Sequence, residues 1–436
     1  MAGLRMLIKN IAIFVKLKIA HLIWSNPETK ISEIVYHGFR YFQFFVLRIQ
    51  YSWEEYQQHR IPRTYRRLRQ AILMSFNAWL IIIYWIIFVC TEDSSIWISI
   101  KYLEKIVDCQ RLDLLIIAIT ILFCIGEWYW FYLFIQTITY KSPMQSMAYK
   151  ASHFDEKRLA ANYHRHLIIY HLFIKTASYI FVACIGIGVI ITYVMELYFL
   201  TKTYFDNQIT LVQLSFSMTM FFPICFQICT IICLLLVGTM VIGFILEFLK
   251  IRMKQFYVFL KQDESSKNIP KIKYFWNLIQ KEYVELYSEV ALLDKTVSFT
   301  MYSLETTSKI LSITACVFYS RQTKLSPTNT MIMLAMILAF VFTVIFYSRL
   351  VFAPKYNHHY CRLLLNRMAR NSIVKNHNRH KNLIVKSNLF IQTMSDNHFG
   401  FHCGQIFFIT KFQVVELFMM NLPLITLFYK KICMAK

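Results

Sequence analysis

The chain has 436 residues, 57% of them hydrophobic and only 16% charged, with mean hydropathy +0.44 and formal net charge +23. Soluble chains carry about 25% charged residues, so this composition excludes an ordinary soluble domain. The basic excess does not indicate nucleic acid, because it lies mostly on one side of the apolar runs, where anionic cytoplasmic lipids attract it.

Residues 1–70 read as an amphipathic region on the cytoplasmic face. The first residues are apolar, but Lys9, Lys16 and Lys18 interrupt any signal-peptide core. A helix lying on the membrane surface suits them better. Segment 31–60 mixes Tyr41, Phe44, Phe45, Val46 and Leu47 with Arg40, Arg48, Glu54 and Glu55. It either dips into the interface or packs beneath the membrane bundle. Arg60, Arg63, Arg66, Arg67 and Arg69 then cluster just before the first apolar run.

Seven apolar runs follow, at about 71–91, 112–137, 168–197, 213–248, 297–320, 329–353 and 406–429. About 20 apolar residues span a bilayer as a helix. Leu80–Val89 and Met331–Tyr347 are charge-free stretches within such runs. The runs are too continuous for the alternating strands of a membrane barrel. With the N-terminus inside, the inner segments hold 34 Lys and Arg and the outer ones 9. Basic residues stay on the cytoplasmic side because translocating them is disfavoured. The expected fold is therefore all-α: a multi-pass plasma-membrane protein with seven transmembrane helices, a cytoplasmic N-terminus and an extracellular tail at 430–436.

The outer loops are short, and two inner connections, 249–296 and 354–405, are long. In the first, Pro270 breaks the chain. Phe275, Leu278, Ile279, Tyr283, Leu286 and Val290 then recur near helical spacing, and Lys281 and Glu285 form an i,i+4 pair. The fourth and fifth runs are expected to continue as cytoplasmic helix extensions whose apolar stripe needs cover, for instance from a neighbouring subunit. The second connection is expected to hold a short helix near 355–370 and a loop over 371–386. Only 9 glycines occur, so helix packing relies on larger side chains rather than small-residue seams.

Ionisable groups inside a membrane are costly. Glu127, beside Trp128 and Trp130, is either a polar contact in a ligand cavity or a buried hydrogen-bonded acid. Glu305 and Lys309 sit at i,i+4 and can pair internally. Lys411 and Glu416 lie in the last run, and Lys175 and Glu196 lie near the ends of the third, where they snorkel. Pro223 and Pro423 break the fourth and seventh runs. The second break is either a hinge or a static bend. Cys90 and Cys109 bracket an outer loop and form either a disulfide or two free thiols. The pairs His358-His359 with Cys361, and His398 and His402 with Cys403, lack metal-ligand spacing. No catalytic motif stands out, so neither an enzyme nor a cofactor is expected.

The topology resembles the insect chemoreceptor superfamily of odorant and gustatory receptors, whose polarity is opposite to that of G-protein-coupled receptors. Gustatory receptors approach the last helix through a Gly-Phe-Phe-like stretch and end on Thr-Tyr, five apolar residues and Gln-Phe. Here Gly404, Phe407 and Phe408 supply the approach. Asn421 and Leu422 stand in place of Thr-Tyr, and Phe428 and Tyr429 in place of Gln-Phe. The spacing is similar, but both polar hallmarks are absent, as in a divergent gustatory-receptor-like protein.

The resemblance implies a ligand-gated cation channel, a homo- or hetero-tetramer of related subunits in membrane lipid, binding a small, mostly apolar molecule. It places Ile425, Phe428 and Tyr429 at the pore, and Phe123, Glu127, Tyr193, Phe216, Phe221, Phe222 and Phe340 at the depth of the ligand pocket. A ring of aromatics without an amide offers an ion little to replace its hydration. The same fold as a non-conducting accessory or assembly subunit therefore stands as the alternative, beside an unrelated polytopic membrane protein.

Overall fold

The structure, a computed structural model, describes residues 30–61, 64–90, 112–206, 209–262, 269–321, 340–374 and 381–419. These residues are almost wholly helical. In chain order the helices are α1 (Ile31–Phe42), α2 (Trp53–Gln57), α3 (Tyr65–Cys90), α4 (Leu112–Ile138), α5 (Pro143–Ser152), α6 (Ala161–Phe205), α7 (Leu211–Gln262), α8 (Ile269–Arg321), α9 (340–350), α10 (Phe352–Val374), α11 (Lys381–Asp396) and α12 (411–419). Strands β1 (His402–Cys403) and β2 (Phe407–Phe408) form one antiparallel hairpin between α11 and α12. Among the described residues three stretches are long and apolar enough to cross a bilayer: Tyr65–Ile87, Ile116–Ile138 and Ser217–Lys261.

The two longest helices greatly exceed a membrane's thickness. α7 and α8 hold 52 and 53 residues, about 80 Å each at 1.5 Å per residue. A hydrocarbon core of about 30 Å takes less than half of that. Pro223 does not break α7, which runs unbroken through it; membrane helices tolerate proline where neighbours satisfy the freed backbone groups. Pro270 stands in the first turn of α8, where a missing N–H is not needed.

The chain divides into two compact units. The first comprises Met1–Met74, Gln145–Phe199 and Phe221–Phe248. In it α1 buries Ile31, Ile34, Val35, Gly38, Phe39 and Phe42, a stripe with the spacing of a half-buried helix. Gly38 lets α1 come close to α7: a Cβ there would sit 3.5 Å from Val241. A π-helical turn, Gln43–Leu47, and a left-handed Arg48 (φ 59°) then reverse the chain. Ser52 and Glu55 form a capping box on α2, which satisfies two orphan backbone donors. Glu55 also takes two 2.9 Å bonds from Arg67, tying α2 to the first turns of α3. Burial pushes the Glu55 carboxyl up, but the Ser52 N–H and Arg67 outweigh it and hold it below its ordinary value.

The second unit comprises Ser75–Met144, Leu200–Met220 and Leu249–Lys436. Its spine is α8. Phe275, Ile279, Tyr283, Leu286, Val290, Leu293, Val297 and Met301 are all buried along one face. The stripe is covered by this chain itself, not left open for a neighbouring subunit. Phe259 of α7 meets Phe275, while Phe390 and Phe399 flank Tyr283. The Tyr283 hydroxyl donates to Asn357 of α10, whose amide donates to the Met394 carbonyl of α11. Segment 371–386 is not simply a loop: α10 reaches Val374 and α11 begins at Lys381. Glu285 is held by Arg252 of α7 at 3.2 Å, and the same arginine bonds Glu289.

Arg252 and Glu289 are both buried. Removing one partner of such a pair leaves a buried charge uncompensated and costs about 3–5 kcal/mol. Arg252→Met is expected to lower the unfolding midpoint of the purified protein sharply, and Arg252→Met with Glu289→Leu to recover much of the loss. Equal midpoints for the single variant and the wild type would contradict this packing.

Candidate functional site

The most densely bonded site joins α8 to the hairpin that precedes the last helix. Asp294, Ser298 and Glu305 recur on one face of α8 at helical spacing. Asp294 accepts the His402 backbone N–H at 2.7 Å and faces His402 Nδ1 at 2.8 Å. The Ser298 hydroxyl donates to the Gly404 carbonyl at 2.8 Å, and the Gly404 N–H donates to the Ser298 carbonyl at 2.9 Å. Gly404 sits at φ +58°, against the Tyr302 ring. A left-handed turn beside an aromatic face suits glycine. Gly400 is tighter still, since a Cβ there would come within 2.5 Å of Phe408.

Glu305 closes the site. One carboxylate oxygen accepts from Lys309 at 2.5 Å, the other from the Tyr347 hydroxyl of α9 at 2.5 Å and from the Cys403 thiol at 3.1 Å. Tyr347 Oη and Cys403 Sγ are 2.9 Å apart. A carboxylate only accepts, and three donors converge on it. Two helix-borne groups and one hairpin residue are thereby fixed around a single buried charge. Burial raises the Cys403 thiol; the phenol beside it draws it down and the Glu305 charge lifts it, leaving it at about 12. At neutral pH it is a donor, not a nucleophile.

The Glu305–Lys309 pair expected from spacing is present. Its further partners, Tyr347 and Cys403, lie 42 and 98 positions from Glu305 in the chain and left no local signal. The expected last run also begins differently. Residues 406–410 complete the hairpin and its exit, and α12 begins at 411 after Thr410 accepts the Gln413 N–H at 3.3 Å.

The candidate ligand residues divide between the two units. In the second, Phe123 and Glu127 are buried one turn apart on α4, and Phe123 meets Trp85 at 5.0 Å. Phe340 is buried at the start of α9. In the first unit, Tyr193 and Phe221 are in ring contact at 5.7 Å, and Phe222 is 65% exposed. Phe216 is on α7, with its side chain outside the described residues. Ile425, Phe428, Tyr429, Pro423 and Cys109 also lie outside them.

Two solved structures share this architecture. An insect olfactory receptor, OR5 from Machilis hrabei, in complex with eugenol matches 96% of this chain and 99% of its own, with TM-score 0.57 and 11% identity. Another structure of that receptor matches 91% and 96%, with TM-score 0.57 and 12% identity. The chain has the insect olfactory receptor fold. No sequence family and no curated protein matches it. Helix order and packing are thus shared where the residues have diverged.

Shielding of Cys403 provides a test. At pH 8 it is expected to react with a maleimide about three orders of magnitude more slowly in the folded protein than in the unfolded chain, as its thiolate fraction dictates. Glu305→Gln, which removes the charge that lifts the thiol, is expected to speed the folded-state reaction. Equal folded and unfolded rates would contradict the site.

Proposed function

We propose that the chain is a chemoreceptor-like subunit of a ligand-gated cation channel in the plasma membrane. It crosses seven times, with residues 1–70 cytoplasmic, the helical domain over 71–429 and an extracellular tail at 430–436. The observation that carries this reading is the likeness to an olfactory receptor over nearly the full length of both chains. The alternation of Lys and Arg between the apolar runs supports the orientation. The α7 and α8 extensions agree with cytoplasmic helices at 249–296, and α10 and α11 with a helical 354–405.

The ligand is a small, mostly apolar molecule. Support comes from the eugenol bound by the similar receptor and from the aromatic character of Phe123, Tyr193, Phe216, Phe221, Phe222 and Phe340, with Glu127 as the polar contact. Such a ligand gates by binding the open arrangement better than the closed one. Four subunits, of one kind or of related kinds, surround a pore faced by Ile425, Phe428 and Tyr429. A second reading, a non-conducting assembly subunit, is favoured by those aromatics. They supply no polar group to replace an ion's water.

Whole-cell recording separates the two. The channel reading expects a cation current evoked by an apolar odorant panel, from this chain alone or with a related subunit. If the delivered wild type is silent, Phe428→Gln is expected to restore conduction. Silence of both, with the protein at the surface, would contradict the pore assignment.

A further inference from the structure

A cavity of ≈ 700 Å³ opens within residues 36–70, between α1, the turn after it, α2 and the first turns of α3. Aromatic rings make part of its wall: Phe39 stacks on Trp53 at 4.6 Å, with Tyr36 nearby in the lining. Its charged lining is three arginines, Arg40, Arg66 and Arg67, against one carboxylate, Glu55. Arg67 and Glu55 satisfy each other, and Arg67 also donates to the Gln50 carbonyl at 2.9 Å. Arg40 and Arg66 have no ion-pair partner among the described residues. Tyr51 also lines the cavity. Its hydroxyl, however, is buried away from solvent beside Gln43, so the ring and not the hydroxyl meets the cavity.

The surroundings set the depth. Tyr36, Tyr41, Phe44 and Tyr65 are exposed around the cavity, the distribution of an aromatic belt at a membrane–water interface. The first apolar run begins directly after Gln70. Two exposed guanidinium groups at the cavity, beside the rings of Phe39 and Trp53, suit a compact, doubly charged oxyanion. Guanidinium matches phosphate in geometry as well as charge. A choline or ethanolamine headgroup would bring a cation towards the arginines.

We propose that this cavity binds the phosphate monoester of an anionic lipid headgroup, as carried by a phosphoinositide. The assignment to the cytoplasmic leaflet rests on the orientation proposed above. Anionic lipid held there would brace α1, α2 and the start of the first spanning helix against one another.

The test uses the full chain in detergent, titrated with a short-chain phosphatidylinositol bisphosphate, a short-chain phosphatidylserine and free inositol trisphosphate. The bisphosphate lipid is expected to bind at least about ten-fold more tightly than the serine lipid. Arg40→Gln with Arg66→Gln is expected to weaken it about ten-fold. Arg60→Gln with Arg69→Gln removes the same charge from exposed positions outside the cavity and is expected to change binding less than about two-fold. Weaker binding of the free inositol phosphate would assign the anion to a lipid; equal binding would keep the phosphate site and assign it to a soluble source. Equal losses in the two double variants, or equal affinity for the serine lipid, would overturn the proposal. Binding is read here without current or orientation, so its failure and a failed recording are separate results.

Discussion

A bilayer offers no water to a charge or a backbone amide, and the structure is organised by that constraint. Where chain lies in hydrocarbon, helices satisfy their own backbone. Where charge is needed, it is exported to the connections or neutralised on the spot. The ion pairs follow this division. Arg252 with Glu285 and Glu289, and Asp294 with His402, lie in the connections outside the apolar runs. Glu305, within a run, has donors from Lys309, Tyr347 and Cys403. A carboxylate so placed remains only because its partners are built around it.

α8 turns this local chemistry into architecture. Its N-terminal half packs against α7, α10 and α11 through Phe275, Tyr283 and Val290, and its next turns hold the hairpin through Asp294, Ser298 and Glu305. The hairpin leads directly into α12. One continuous helix therefore fixes both the packing of α10 and α11 and the hairpin that leads into α12. In the proposed channel, movement of the pore-lining helix is coupled to α8, since densely packed cores switch between discrete arrangements rather than deform smoothly.

Much of this was legible in the sequence, for reasons that can be named. The helical period of Phe275, Ile279, Tyr283 and Val290 announces a helix through that connection, and α8 runs through it. The i,i+4 spacing of Glu305 and Lys309 announces their pair. Three features could not be read locally. Glu285 chooses Arg252 over the nearer Lys281, because the buried guanidinium gains more from the pair than an exposed ammonium does. The hairpin at 402–408 is hidden because its paired strands are two residues each and Phe407-Phe408 reads as the start of an apolar run. α11 is hidden because Lys381, Lys386 and Ser387 resemble a basic loop until Ile391 and Met394 are buried. Of the candidate site residues, Phe123, Glu127 and Phe340 proved buried while Phe222 is exposed, a distinction that depends on helix rotation in the assembled bundle.

All of this rests on which ends of the helices face the cytoplasm. An epitope appended after Lys436, probed with antibody on intact cells, measures that directly. The alternation of basic segments predicts staining without permeabilisation, together with an N-terminal epitope reached only after it. Staining of the C-terminal epitope only in permeabilised cells would contradict the orientation, and with it the proposed channel.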